Sequence, residues 1–134
     1  RAESELDARG EYSWVADIRS RVEIARAVAR DAGDFKDLLG AMGIDVSDNS
    51  EKAMVRDWIF SLADTPTRKV AGASLGLSYG RERLLARFSS GASALASDGG
   101  RAVVETAAKA VRVGDLEELR SLADAVSFID GNRC

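Results

Sequence analysis

Histidine is absent from these 134 residues, and cysteine and proline occur once each. The missing histidine removes Ser-His-Asp and Cys-His catalysis, histidine-ligated metals and the commonest general base at neutral pH. One cysteine, Cys134, can build neither a disulfide framework nor, within this chain, a thiolate zinc site. That usage suits a reducing interior such as the bacterial cytoplasm. Long apolar runs are also missing. None approaches the roughly 18 residues that mark a bilayer-spanning helix, and no signal-peptide pattern opens the chain, so membrane insertion is not expected. The 22 acidic residues show no paired spacing that singles one out for acid–base work. The chain is therefore read as non-catalytic, with no catalytic residue, metal or cofactor of its own. It opens on Arg1 rather than methionine, which points to a fragment or a processed product.

What is present suffices for one ordinary core with an appended helical piece, since 46% of the residues are hydrophobic. Residues 1–11 are charged and poor in large apolar side chains, as expected of a lead-in. From Ser13, Trp14, Ile18, Val22, Ala25, Ala29 and Ala32 recur at helical spacing, with Arg19, Arg26 and Arg30 largely off that stripe. Ser13 is positioned to cap this helix and Gly33 to end it. Asp34 then caps a second helix through Phe35, Leu38, Leu39 and Met42, stopped by Gly43. Ile44-Asp45-Val46 reads as a brief strand, and 53–62 as another, with a helix over 51–63 as the alternative. Asp64-Thr65-Pro66-Thr67 is expected to turn the chain into a partner strand, Arg68 to Ala71. A helix follows from about Gly80 to Phe88. Residues 89–100, rich in serine and glycine, read as a flexible linker. The last segment, 101–134, reads as a helical hairpin, its second arm opened by Asp115 and Glu118. The expectation is an α+β fold: two N-terminal helices on a small antiparallel sheet, a hairpin, a following helix and a C-terminal helical hairpin. As domains this is an accessory module over 12–88, the linker, and the hairpin.

Charge gathers where the sheet gives way to helix. Between Thr67 and Phe88, Arg68, Lys69, Arg81, Arg83 and Arg87 are opposed only by Glu82, in a chain whose net charge is −3. Such a cluster attracts nucleic-acid backbones by neutralising phosphates and releasing counterions. The plainer reading is a solvated face balanced by the protein's own acids. Gly72, Gly76 and Gly80 precede the basic helix at intervals of four. No Gly-Lys-Ser/Thr follows them and the dinucleotide fingerprint is absent, so strand exit and helix entry account for them without a nucleotide. Trp14, Trp58, Phe35, Phe60 and Phe88 fall on apolar faces and belong to the core rather than to base stacking. Tyr12 and Tyr79 lack an activating neighbour. Tyr79 is expected to anchor the helix start, its ring buried and its hydroxyl at the edge.

One ordering of residues carries a resemblance. Trp14-x-x-x-Ile18, Phe35-x-x-Leu38-Leu39 and Gly43-Ile44-Asp45-Val46 lead through a hairpin to Arg68-Lys69-Val70-Ala71-Gly72-x-x-Leu75-Gly76-x-x-Tyr79. Over about residues 12–88 this resembles the segment downstream of the nuclease domain in conjugative relaxases of the mobilisation-protein and T-DNA border-endonuclease type. Ala71 stands where that pattern has an arginine. The nuclease half of such proteins uses metal-binding histidines and a tyrosine nucleophile, and with no histidine here that activity cannot lie in this segment. The resemblance implies an accessory domain joined to a relaxase nuclease domain in the same chain. Its expected partner is DNA near the transfer origin during conjugation or plasmid mobilisation. Arg68, Lys69, Arg81, Arg83 and Arg87 would then contact phosphates. The rival expectation is a protein-interaction module that docks the relaxase on a secretion coupling protein or accessory subunit.

Overall fold

The computed structural model describes residues 14–49, 52, 54–76, 79–90 and 98–131. Among the described residues there are six helices and one three-stranded antiparallel sheet, as the α+β expectation requires. In chain order they are α1 (Trp14–Val28), α2 (Ala32–Ala41), β1 (Ile44–Asp48), β2 (Trp58–Leu62) and β3 (Thr65–Ala71). Then come α3 (Gly72–Leu75), α4 (Arg81–Ser90), α5 (Asp98–Val113) and α6 (Leu116–Gly131). The lead-in 1–11, Tyr12, the Ser13 cap and Cys134 lie outside the described residues.

The stripe Ile18, Val22, Ala25 and Ala29 is fully buried, but α1 is covered well beyond it. Ile24, Ala27 and Val28 are buried as well, together with the charged Asp17, Arg21 and Glu23. The helix is enclosed by α2, α5, α6 and the sheet, so each charge it carries inward needs a partner. Arg21 forms a two-pronged pair with Asp17, Nε to Oδ1 at 2.7 Å and Nη2 to Oδ2 at 2.8 Å. Its Nη1 donates to the Met42 carbonyl at 2.9 Å, which fastens the end of α2 to the middle of α1.

Two helix boundaries differ from the sequence reading. The first helix stops at Val28 rather than Gly33, because Asp31 takes an extended conformation (φ −155°, ψ 178°) and caps α2 by accepting from Asp34 N–H at 2.7 Å. Asp34 is therefore not the cap. Its carboxylate reaches back to accept from Arg30 N–H at 3.1 Å, a reciprocal arrangement that fixes the joint. Gly33 sits inside the first turn of α2.

The sheet runs in the order β1-β2-β3, with Val46 opposite Phe60 and Phe60 opposite Val70. Period-2 alternation sends Trp58, Phe60 and Leu62 into the core and leaves Ile59 and Ser61 half-buried on the other side. Phe35 from α2 stacks on Trp58 (centroids 5.6 Å, planes 25° apart) and meets Phe60 edge-on at 6.1 Å. The strand expected over 53–62 begins only at Trp58, and the helical alternative for 51–63 does not form. Pro66 lies in β3 rather than in the turn. The turn falls on Ala63 and Asp64, with a register irregularity at Ser61/Leu62. Proline is tolerated there because β3 is an edge strand and needs no donor on its open side.

The ends of the expected linker are helical: α4 continues to Ser90 and α5 begins at Asp98, while 91–97 fall outside the described residues. The C-terminal hairpin packs on α1 chiefly through α6. Val104, Ala107, Leu119, Ala123 and Val126 join the same buried cluster as Ile18 and Phe35. Asp115 accepts from Glu118 N–H at 3.1 Å, the cap foreseen for α6.

Candidate nucleic-acid interface

The passage from β3 to α4 is organised by Asp57, a buried carboxylate one residue before β2. Its Oδ1 accepts from Trp58 N–H at 2.8 Å and Arg81 N–H at 3.0 Å, and its Oδ2 from Ala73 N–H at 2.9 Å. Ala71, at the start of α3, offers no side-chain cap. Asp57 therefore serves as a remote cap for α3 and α4 together. Gly72 lies so close to this carboxylate that a Cβ there would overlap the Tyr79 carbonyl and press on Asp57 Oδ1 at 3.0 Å. Gly76 takes φ +153°, a conformation that side chains resist.

Tyr79 then returns the chain to α1. Its hydroxyl donates to Glu23 Oε1 at 2.5 Å, and Arg26 lies over its ring at 5.8 Å. Arg26 also pairs with Glu23 at 3.3 Å, and Arg19 Nε donates to the Leu75 carbonyl at 3.3 Å. The residues of Gly72-x-x-Leu75-Gly76-x-x-Tyr79 thus act as a clasp. Glycines admit the backbone, Leu75 is buried, and the tyrosine locks onto a buried acid. Burial, then the Glu23 hydrogen bond and charge, push the Tyr79 phenol from 10.0 up to about 12, while Arg26 and Arg19 pull the other way.

Because the folded phenol holds its proton more tightly than the unfolded one, its contribution to stability is complete below pH 10. It is lost as pH rises from there through about 12. Urea unfolding across this range is expected to show the wild type losing stability more steeply than Tyr79→Phe. Parallel profiles would show that the phenol titrates alike in both states.

The five cations do not form one surface. Arg68 and Lys69 are consecutive in β3 and both exposed, and successive strand residues face opposite ways. Lys69 pairs across the sheet with Ser61, which in turn pairs with Asp45. An open trough of about 390 Å³ along this outer face is lined by Lys69, Ala71, Ile59, Ser47 and Asp48, so acids temper the lysine. Arg83 is exposed on α4. Arg81 is half-buried, its guanidinium carbon 5.9 Å from the centre of the Trp58 ring. Arg87 Nε donates to the Arg26 carbonyl at 3.0 Å, which caps the last turn of α1 and clamps α4 to it.

Sequence reasoning missed two contributors. Asp57 had no local mark, since two of its three donors lie 16 and 24 residues away. Lys36, exposed on α2, places its Nζ 5.2 Å from the same Trp58 ring centre that Arg81 approaches. Among the described residues no group of three His, Cys, Asp or Glu side chains is arranged to hold a metal ion, and no helix is long and apolar enough to cross a membrane. No protein-family model, curated protein or solved structure matches the chain.

Proposed function

We propose that this chain is a non-catalytic accessory module of a relaxase-like DNA-processing protein. In the bacterial cytoplasm it contacts the DNA backbone near the transfer origin, beside a nuclease domain in the same chain. The observation that carries the reading is the linkage made by Asp57. By bonding Ala73 N–H in α3, which continues directly from β3, and Arg81 N–H in α4, it ties the strand that carries Arg68 and Lys69 to the helix that carries Arg81 and Arg83. Phosphates can then be met by preplaced charges from either Arg68 or Lys69 and from Arg81 and Arg83. Such contacts position a duplex and carry no sequence information. Arg87 is instead engaged with α1.

Fluorescence anisotropy with a labelled duplex over a salt series tests this. Three phosphate contacts give a slope of log K against log salt of roughly −3, and Arg68→Gln with Lys69→Gln should lessen it by about 1, because these consecutive strand residues face opposite ways and only one can meet a given duplex. Absence of binding at about 50 mM salt, or a slope untouched by the double substitution, rejects the reading.

A second reading is favoured by Val113 and Phe128, which are 70% and 72% exposed on α5 and α6. The inner side of this hairpin is occupied by α1, so these side chains face outward, where a helix of a secretion coupling protein or accessory subunit could dock. If duplex binding is absent at low salt, this protein-interaction role is the reading that stands.

A further inference from the structure

We infer that Lys36 and Arg81, which both approach the Trp58 ring, form a seat for a single phosphate group. The inference deepens the backbone-contact reading and rests on it only for the source of that phosphate. Three observations converge. First, the two charges come from different elements, α2 and the opening residue of α4, yet both lie within 6 Å of one ring centre. Phe35 is stacked on the same indole, so it takes one face of the ring from the cations.

Second, among the described residues neither side-chain charge is paired with a carboxylate. Other arginines of the fold are so paired: Arg21 meets Asp17, Arg26 meets Glu23, and Arg56 reaches Asp48 at 4.0 Å. Among the described residues no such pair includes Lys36 or Arg81. Asp57 is close by, but its oxygens are occupied by three backbone N–H groups. Asp37 and Glu82, each exposed and next in sequence to one of the cations, lie about 100° further round their helices. Two like charges therefore approach one ring with no ion-pair partner among the described residues, an arrangement that a bound anion relieves.

Third, the chemistry of the pair suits phosphate. A guanidinium supplies a planar fork for two oxygens, and an ammonium supplies a mobile point charge for a third. Trp58 is only 3% exposed, so a ligand meets the cations and not the ring. The seat thus reads phosphate and is indifferent to the base attached. The phosphate can be a phosphodiester of nucleic acid or a free phosphate ion, and the test separates them.

The full chain, labelled with ¹⁵N, is titrated with inorganic phosphate and separately with a short duplex, following the Trp58 indole N–H and Arg81 Nε–H signals. Both ligands are expected to move both signals to saturation. Lys36→Gln and Arg81→Gln should each weaken phosphate binding about tenfold, whereas Arg112→Gln, at an exposed position of α5, should leave it unchanged. Both variants are expected to fold, since Lys36 is exposed and the capped group at 81 is the backbone N–H. Backbone amide signals that stay dispersed away from Trp58 check this. Signals that stay still with both ligands, or shift equally in Lys36→Gln, overturn the seat. A duplex that binds while moving only the neighbours of Arg68 and Lys69 also overturns it and leaves the backbone reading standing. Phosphate that saturates the seat while duplex does not bind supports the seat and removes the backbone reading.

Discussion

Asp57→Ala is expected to lower the free energy of unfolding by about 2–4 kcal/mol, out of a total that for domains of this size is about 5–15 kcal/mol. The carboxylate accepts three backbone hydrogen bonds from Trp58, Ala73 and Arg81. Alanine leaves those donors in an enclosed corner, where each unmet N–H costs roughly 1–3 kcal/mol. Part of the loss is recovered because the Ala73 and Arg81 groups are only partly buried and water can reach them. Asp57→Asn should fall between wild type and alanine. Its amide keeps one acceptor oxygen but turns an NH₂ towards a donor, and it gives up the negative charge that suits two helix starts. Urea unfolding of the three proteins decides the matter. A loss below about 1 kcal/mol for alanine would mean that solvent replaces the carboxylate, and the joint between β3 and α4 would be soft.

Arg21→Ala is expected to cost more, about 3–5 kcal/mol. The Asp17 side chain is 1% exposed and that of Arg21 is 9% exposed, so truncation removes the cation from a carboxylate that water cannot solvate. It also strips the Met42 carbonyl of its donor. The pair itself need not be stabilising relative to an apolar replacement, because desolvating both ions offsets most of their attraction. The double substitution Asp17→Leu with Arg21→Met should therefore cost much less than Arg21→Ala alone. Denaturant titration of both variants checks the sign. If the double variant is as unstable as the single one, the contact with Met42 rather than the buried charge dominates.

Local patterns carried most of the architecture. The apolar spacing of α1 and α2, the glycine after Met42, the Ile44-Asp45-Val46 strand and the Asp115 cap all depend on neighbours within a few residues, and all formed. Errors arose where two local rules competed. Asp31 and Asp34 are both competent caps, and geometry gave the role to the earlier one. Pro66 fits a turn or an edge strand equally well, and only the position of β3 at the sheet margin distinguishes them. The interface was less legible because its decisive contacts are distant in sequence. Tyr79 reaches Glu23 across 56 residues and Arg87 reaches Arg26 across 61. Counting cations along the chain therefore could not reveal that Arg87 serves α1, or that Lys36 and Arg81 both approach the Trp58 ring.

Those separations bear on how the chain comes to be folded. A polypeptide made from its N-terminus completes α1 long before residues 72–87 exist. For that interval Glu23, whose partners in the finished fold include the Tyr79 hydroxyl, remains a hydrated surface acid. The helix cannot take up its final enclosed position until the clasp is synthesised. Closure of such distant contacts comes late and slowly, because loop entropy is lost before the contacts compensate for it. The clasp is thus one of the contacts that α1 must await, and α6, which packs on it most, is made later still.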